Sequence, residues 1–147
     1  MLVDASNRFR IEQALRKAID GGDFVLHYQP QVSLDSKRTI CVEALLRWRT
    51  SDTHIVSAGE FIRVAEQSGL MLDLNEWVLE TAAQAVRQWR DGGWPDAKVA
   101  VNVSAQQFVA GDFLGGIERL LARFDLPADA IELELTENML QTGAVTV

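Results

Sequence analysis

Apolar and polar positions along this chain change rhythm several times, and each rhythm predicts an element. Ile11, Ala14, Leu15, Ala18 and Ile19 recur at helical spacing, which predicts a helix over 7–19 with one apolar stripe, Ser6 as its N-cap and Gly21-Gly22 as its stop. Two period-two runs follow, FVLHYQPQV (24–32) and TICVEALLRW (39–48). In the second, Ile40, Val42, Ala44, Leu46 and Trp48 share one face, while Cys41, Glu43, Leu45, Arg47 and Arg49 share the other. One face is apolar throughout and the other carries charge.

The six residues SLDSKR between these runs are too few for the crossover that parallel strands need, so the pair is expected to be an antiparallel hairpin. With Asp35-Ser36-Lys37 as a three-residue turn, Gln29 lies opposite Glu43; a two-residue turn removes that pairing. Helices and strands then alternate. A capping box of Ser57 with Glu60 opens a helix that ends at Gly69. Leu74, Trp77, Val78, Ala82, Ala85, Val86 and Trp89 line a helix from Asp73 to about Arg90, broken by GGWP. KVAVNVS (98–104) predicts a strand, Asp112 caps a further helix ahead of Pro127, and AIELELTE (130–137) predicts the last strand. Alternation of this kind means a parallel sheet covered by helices.

Composition narrows the function. A chain of 147 residues, 48% of them hydrophobic, is long and apolar enough for a globular α/β domain with a real core. No stretch approaches the roughly 18 apolar residues of a membrane span, and the N-terminal residues lack a secretory core, so a cytoplasmic location is expected. Cys41 has no partner for an internal disulfide, and two histidines with one cysteine exclude a Cys/His zinc cluster. The net charge of −7 disfavours a nucleic-acid polymer as partner. Residues 101–147 hold seven of the acids against Arg119 and Arg123. Those carboxylates would repel an anionic substrate unless cations sat between them.

Polar groups recur near strand C-termini: Glu43 and Arg47, Asn102 and Ser104, then Glu132, Glu134 and Thr136. That edge binds ligands in parallel α/β folds. Two carboxylates and an amide oxygen suit magnesium or manganese better than zinc or copper, and Arg47, nearer the mouth, is placed to pair with phosphate. Any one of these residues alone reads as an ordinary solvated strand end; it is the recurrence that argues for a site. Glu132 reads either as an outward or a bottom-layer residue and Glu137 as a helix cap. His27 and His54 pack or face water, and Trp48, Trp77, Trp89 and Trp94 read as core or helix–sheet contacts.

In this order, EALLRW (43–48), NVS (102–104) and ELTEN (134–138) resemble the EAL domain family of bacterial cyclic-di-GMP phosphodiesterases, as do LHYQPQV (26–32) and GEFIRVAEQSGL (59–70). Similarity runs from about residue 8 to the end of the chain. The resemblance implies a TIM-like (β/α) barrel whose first strand is antiparallel to its neighbour. It implies that Glu43, Asn102 and Glu134 bind divalent metal, Mg2+ or Mn2+ in a two-metal site. It also implies that Arg47 contacts substrate phosphate, Gln29 lies at the substrate, and Glu137 supports a metal-site loop. The reaction implied is hydrolysis of cyclic-di-GMP to linear pGpG.

The chain departs from the family pattern in one large way. An aspartate pair with a DFG-like loop, a lysine and a further glutamate, all needed for the full site, do not occur before Val147. Ala58 stands where proline is common and Gln106 where arginine is common. A closed barrel takes about 250 residues, so the expectation is an incomplete, roughly half barrel: residues 1–20 a helix leading in, residues 21–147 the N-terminal part of the domain, inactive by itself. The competing expectation is a non-catalytic module that binds cyclic-di-GMP or a protein partner. Expected partners are cyclic-di-GMP, a second copy through the open sheet edge or the helices, and an upstream sensor or GGDEF domain in a longer parent.

Overall fold

The structure, a computed structural model, describes residues 5–51, 54–109 and 111–135. Helix α1 (Ala5–Gly21) ends where Gly22 takes the left-handed backbone (φ 73°), which lets Asp23 N donate back to Ala18 O at 3.0 Å. Only glycine adopts that conformation without penalty. Ser6 lies inside this helix and not at its N-cap. Strands β1 (Phe24–Val32) and β2 (Thr39–Ser51) then form the antiparallel hairpin, with Gln29 opposite Glu43.

That pairing arises by a different route from the three-residue turn. Ser33 N donates to Arg38 O at 2.9 Å, closing a four-residue loop in which Lys37 has φ 57°. A bulge then restores the register, because Val32 pairs with Thr39 while Gln31 pairs with Cys41. The extra loop residue and the extra strand residue, Ile40, offset each other.

A short strand, β3 (His54–Ser57), and a one-turn helix, α4 (Ala105–Val109), are additions to the elements read from periodicity; neither is long enough to show a period. Helix α2 (Ala58–Ser68) stops at Gly69 (φ 76°). Ser57 is its N-cap, but the expected capping box does not form: no side chain caps a backbone N–H, and Ser57 Oγ instead donates to Glu60 Oε1 at 3.3 Å. Helix α3 (Met71–Asp91) starts before Asp73, which occupies its first turn, where a carboxylate favours the helix dipole. Strand β4 (Val99–Val103) follows. Helix α5 (Phe113–Arg123) is capped by Asp112, whose carboxylate accepts from Gly115 N at 3.2 Å. A 3-10 turn (Ala128–Ala130) leads into β5 (Ile131–Leu135).

The sheet order is β1-β2-β4-β5, with β3 paired to β2. Strands β2, β4 and β5 are parallel and β1 is antiparallel. This is a mixed sheet, open among the described residues, with β1 and β5 at its edges.

One face of the sheet is the core. Val42, Ala44, Leu46, Val99, Val101 and Ile131 pack on Phe61, Leu74, Val78, Ala82 and Val86 from α2 and α3, and on Leu15 and Ala18 from α1. Phe24 anchors an aromatic cluster, with ring centroids 5.8 Å from Phe61 and 6.2 Å from both Trp48 and Trp77. Trp89 stacks edge-on against Tyr28 at 4.8 Å and lies 6.1 Å from Trp94. Trp48, Trp77 and Trp89 are thus helix–sheet contacts, and Trp94 packs on Trp89 at the edge of the core. His27 and His54 are exposed.

The opposite face carries the polar residues. Cross-strand pairing puts Gln29, Glu43, Ala100 and Glu132 in one row, and Asn102 beside Glu134 in the next. Flat strands at the usual spacing of about 4.8 Å would hold β1 and β5 about 14 Å apart, yet Gln31 Nε2 reaches Glu134 Oε1 at 3.5 Å. The sheet therefore curls, and this polar face is its inner, concave side.

Candidate functional site

The site begins where β2 and β4 part. They pair only at Val42–Val99, Glu43–Ala100 and Ala44–Val101; beyond that, β2 uses the same edge to pair Arg47–Ser51 with β3. Asn102 and Val103 keep β5 as a neighbour and lose β2. A crevice opens at the strand ends, the place where α/β folds bind ligands.

Glu43 and Asn102 meet across this crevice, Asn102 Nδ2 donating to Glu43 Oε1 at 3.0 Å. Glu134 is the cross-strand partner of Asn102 and accepts from Gln31. Each carboxylate is thus held by one amide donor, which orients its oxygens toward the inner face. The three expected metal ligands therefore lie on one surface, on three adjacent strands. Among the described residues, no three His, Cys, Asp or Glu side chains converge closely enough to form a metal cluster by themselves. The donor set is two carboxylates and an amide, all oxygen once the amide turns its carbonyl inward. Such a set fits a hard divalent cation.

Arg47 lies two residues beyond Leu45 on the same face as Glu43 and is half-buried. Its Nη1 donates to Leu46 O at 2.9 Å, which leaves the other N–H groups of the guanidinium fork for an anion. Gln29 is exposed opposite Glu43. Glu132 belongs to the inner face, one alternation before Glu134 and in the row of Glu43. Glu137 and Thr136 lie outside the described residues, as does the side chain of Gln106.

Beneath the carboxylates the floor is small and dry. Ala100 is fully buried and Cys41 nearly so. Burial pushes the Cys41 thiol up, the nearby Glu132 and Glu134 carboxylates push it further, and the thiol stays neutral.

Sequence reasoning missed two contributors. Gln31 shares the face of Gln29 by period two, a signal present within LHYQPQV, and its role became visible only once the sheet curled. Asn75 sits in the buried stripe of α3 with Leu74 and Val78 and donates Nδ2 to Ser104 Oγ at 3.2 Å; a polar residue in an apolar stripe was its signal.

A curled, helix-covered mixed sheet with its polar centre at the ends of parallel strands defines part of a barrel-type α/β domain. The chain belongs to the EAL domain family, whose model matches residues 12–146. It is 42% identical over 128 residues to the signaling protein YkoW of Bacillus subtilis, covering 87% of this chain and 16% of YkoW. It is 37% identical over 138 residues to the bifunctional diguanylate cyclase/cyclic di-GMP phosphodiesterase MucR of Pseudomonas aeruginosa, covering 94% of this chain and 20% of MucR. The solved PaMucR phosphodiesterase–c-di-GMP complex superposes with a TM-score of 0.86 at 37% identity, over 92% of this chain and 55% of that one. The chain thus spans a fifth or less of these two curated relatives and about half of the solved domain.

Proposed function

We propose that residues 21–147 form the N-terminal part of a divalent-metal-dependent cyclic-di-GMP phosphodiesterase domain, with α1 leading into it, working in the cytoplasm. The observation that carries this reading is the Asn102–Glu43 hydrogen bond beside Glu134 on the inner face. Glu43, Asn102 and Glu134 would hold Mg2+ or Mn2+. A bound cation of this kind supplies Lewis acidity and a lowered pKa for bound water. Arg47 pairs with a substrate phosphate through its uncommitted N–H groups, and Gln29 meets the dinucleotide from β1. Glu137 supports the metal-site loop. Hydrolysis opens one phosphodiester of the ring and yields linear pGpG. A sensor or GGDEF domain in a longer parent protein would set when this happens.

The 147-residue chain by itself binds without turnover on this reading. A magnesium ion takes six oxygens, and two carboxylates with one amide do not assemble the paired-metal clamp of an in-line displacement. The sheet edges at β1 and β5, open among the described residues, are the surfaces through which a second copy would add.

The test is calorimetric titration of the chain with Mn2+ and then cyclic-di-GMP, with chromatography for pGpG. Saturable Mn2+ binding that Glu43→Ala and Glu134→Ala each weaken at least about tenfold, without pGpG, is the expected result. Dinucleotide binding that ignores Mn2+ and both substitutions would replace this reading with a metal-free binding module. Steady pGpG formation would overturn the inactivity of the chain.

A further inference from the structure

Among the described residues Asn75 is one of few buried polar side chains, 5% exposed in the apolar stripe of α3. A buried amide is costly unless its hydrogen bonds are made. Its Nδ2 donates to Ser104 Oγ at 3.2 Å, and the same oxygen accepts from Gln107 N at 3.2 Å. The Ser104 carbonyl accepts from Phe108 N at 3.1 Å. Ser104 is therefore the N-cap of α4 and is tied at the same time to α3.

This tie sits where the sheet gives β4 least support. After Val101 the strand has lost β2, and only β5 flanks Asn102 and Val103. We propose that Asn75 is a positioning residue for the site: through Ser104 it anchors the exit of β4 to the helix layer, and so holds Asn102, two residues upstream, in reach of Glu43. The Asn75–Ser104 bond replaces from behind the lateral support that β2 withdraws. The proposal rests on the reading of Glu43, Asn102 and Glu134 as metal ligands only in its consequence for affinity. The geometry it asserts, Asn102 held on Glu43, stands or falls separately.

The test uses the 15N-labelled chain and its Asn75→Leu, Ser104→Ala and Ser104→Thr variants, with Glu43→Ala to mark where the Asn102 side-chain amide signals fall without their acceptor. Asn75→Leu and Ser104→Ala are expected to move those signals toward the Glu43→Ala positions and to weaken Mn2+ binding about tenfold. Ser104→Thr, which keeps the hydroxyl, stays within about threefold of the parent. The double variant is no worse than Ser104→Ala, because both act through one oxygen. A lowered melting temperature with unchanged Asn102 signals and unchanged Mn2+ affinity would reduce Asn75 to a core residue and overturn the proposal. Should Asn75→Leu fail to fold, Ser104→Ala decides by the same signals. A parent chain that binds no Mn2+ at all would overturn the metal reading, and the Asn102 signals alone would then decide the positioning role.

Discussion

Asn102 and Glu43 join β4 to β2 by a 3.0 Å side-chain hydrogen bond one step past the point where the backbone pairing of these strands ends. A polar contact has taken over from the ladder. Substitution of either residue should therefore be felt in the site before it is felt in the fold.

Glu43→Ala removes a carboxylate and leaves the Asn102 amide without its acceptor. Since Asn102 is exposed, water replaces the lost bond and the stability change should stay within about 1 kcal/mol. Mn2+ affinity should fall at least about tenfold, read by titration calorimetry beside a urea melt.

Phe61 is fully buried between Phe24 and Trp48. Phe61→Ala is expected to cost about 3–5 kcal/mol through lost burial and the cavity left behind. The urea midpoint followed by tryptophan fluorescence would show it, since Trp48 packs against the same ring.

Two adjacent glycines in α5 should respond with opposite tendencies to alanine. A methyl group on Gly116 meets nothing closer than Arg119 Nη2 at 3.9 Å, so Gly116→Ala should stabilise by up to about 1 kcal/mol. A methyl group on Gly115 would collide with the Asp112 carboxylate. Rotating Asp112 aside breaks the cap, so Gly115→Ala should show no gain or a net loss in the same thermal melts.

Asp112 also carries a pH signature. Its hydrogen bonds from Arg119 and from Gly115 N hold its carboxyl below the ordinary value. A depressed folded pKa contributes stability that is complete above the unfolded carboxylate pKa and is lost as pH falls through the folded one. The melting-temperature gap between the parent and Asp112→Asn should therefore be constant near neutrality and close on acidification below about pH 4. A gap that widens in acid would reverse the assigned sign.

The order of the main elements was legible because each carried a period long enough to read: the apolar stripe of α3 from Leu74 to Val86, and the alternation from Cys41 to Trp48. Alternation also assigned the faces correctly, Val42, Ala44 and Leu46 to the helices and Glu43 and Arg47 to the other side. The Gln29–Glu43 register was read from a three-residue turn that does not form, and the pairing holds because a four-residue loop and a bulge offset each other. Burying one face of each strand constrains the register, and the loop and its Ile40 bulge adjust to satisfy it. The short elements β3 and α4 offered no period to read.

By itself, then, the sequence determined which residues share a face and which motifs mark the family. Tertiary structure decided which of them touch. The division of one β2 edge between β3 and β4, the curl that carries Gln31 to Glu134, and the reach of Asn75 to Ser104 each join segments distant in the chain. Periodicity reports only the local direction of a side chain, whereas these meetings follow from how the packed helices and the twisted sheet bend around a common core.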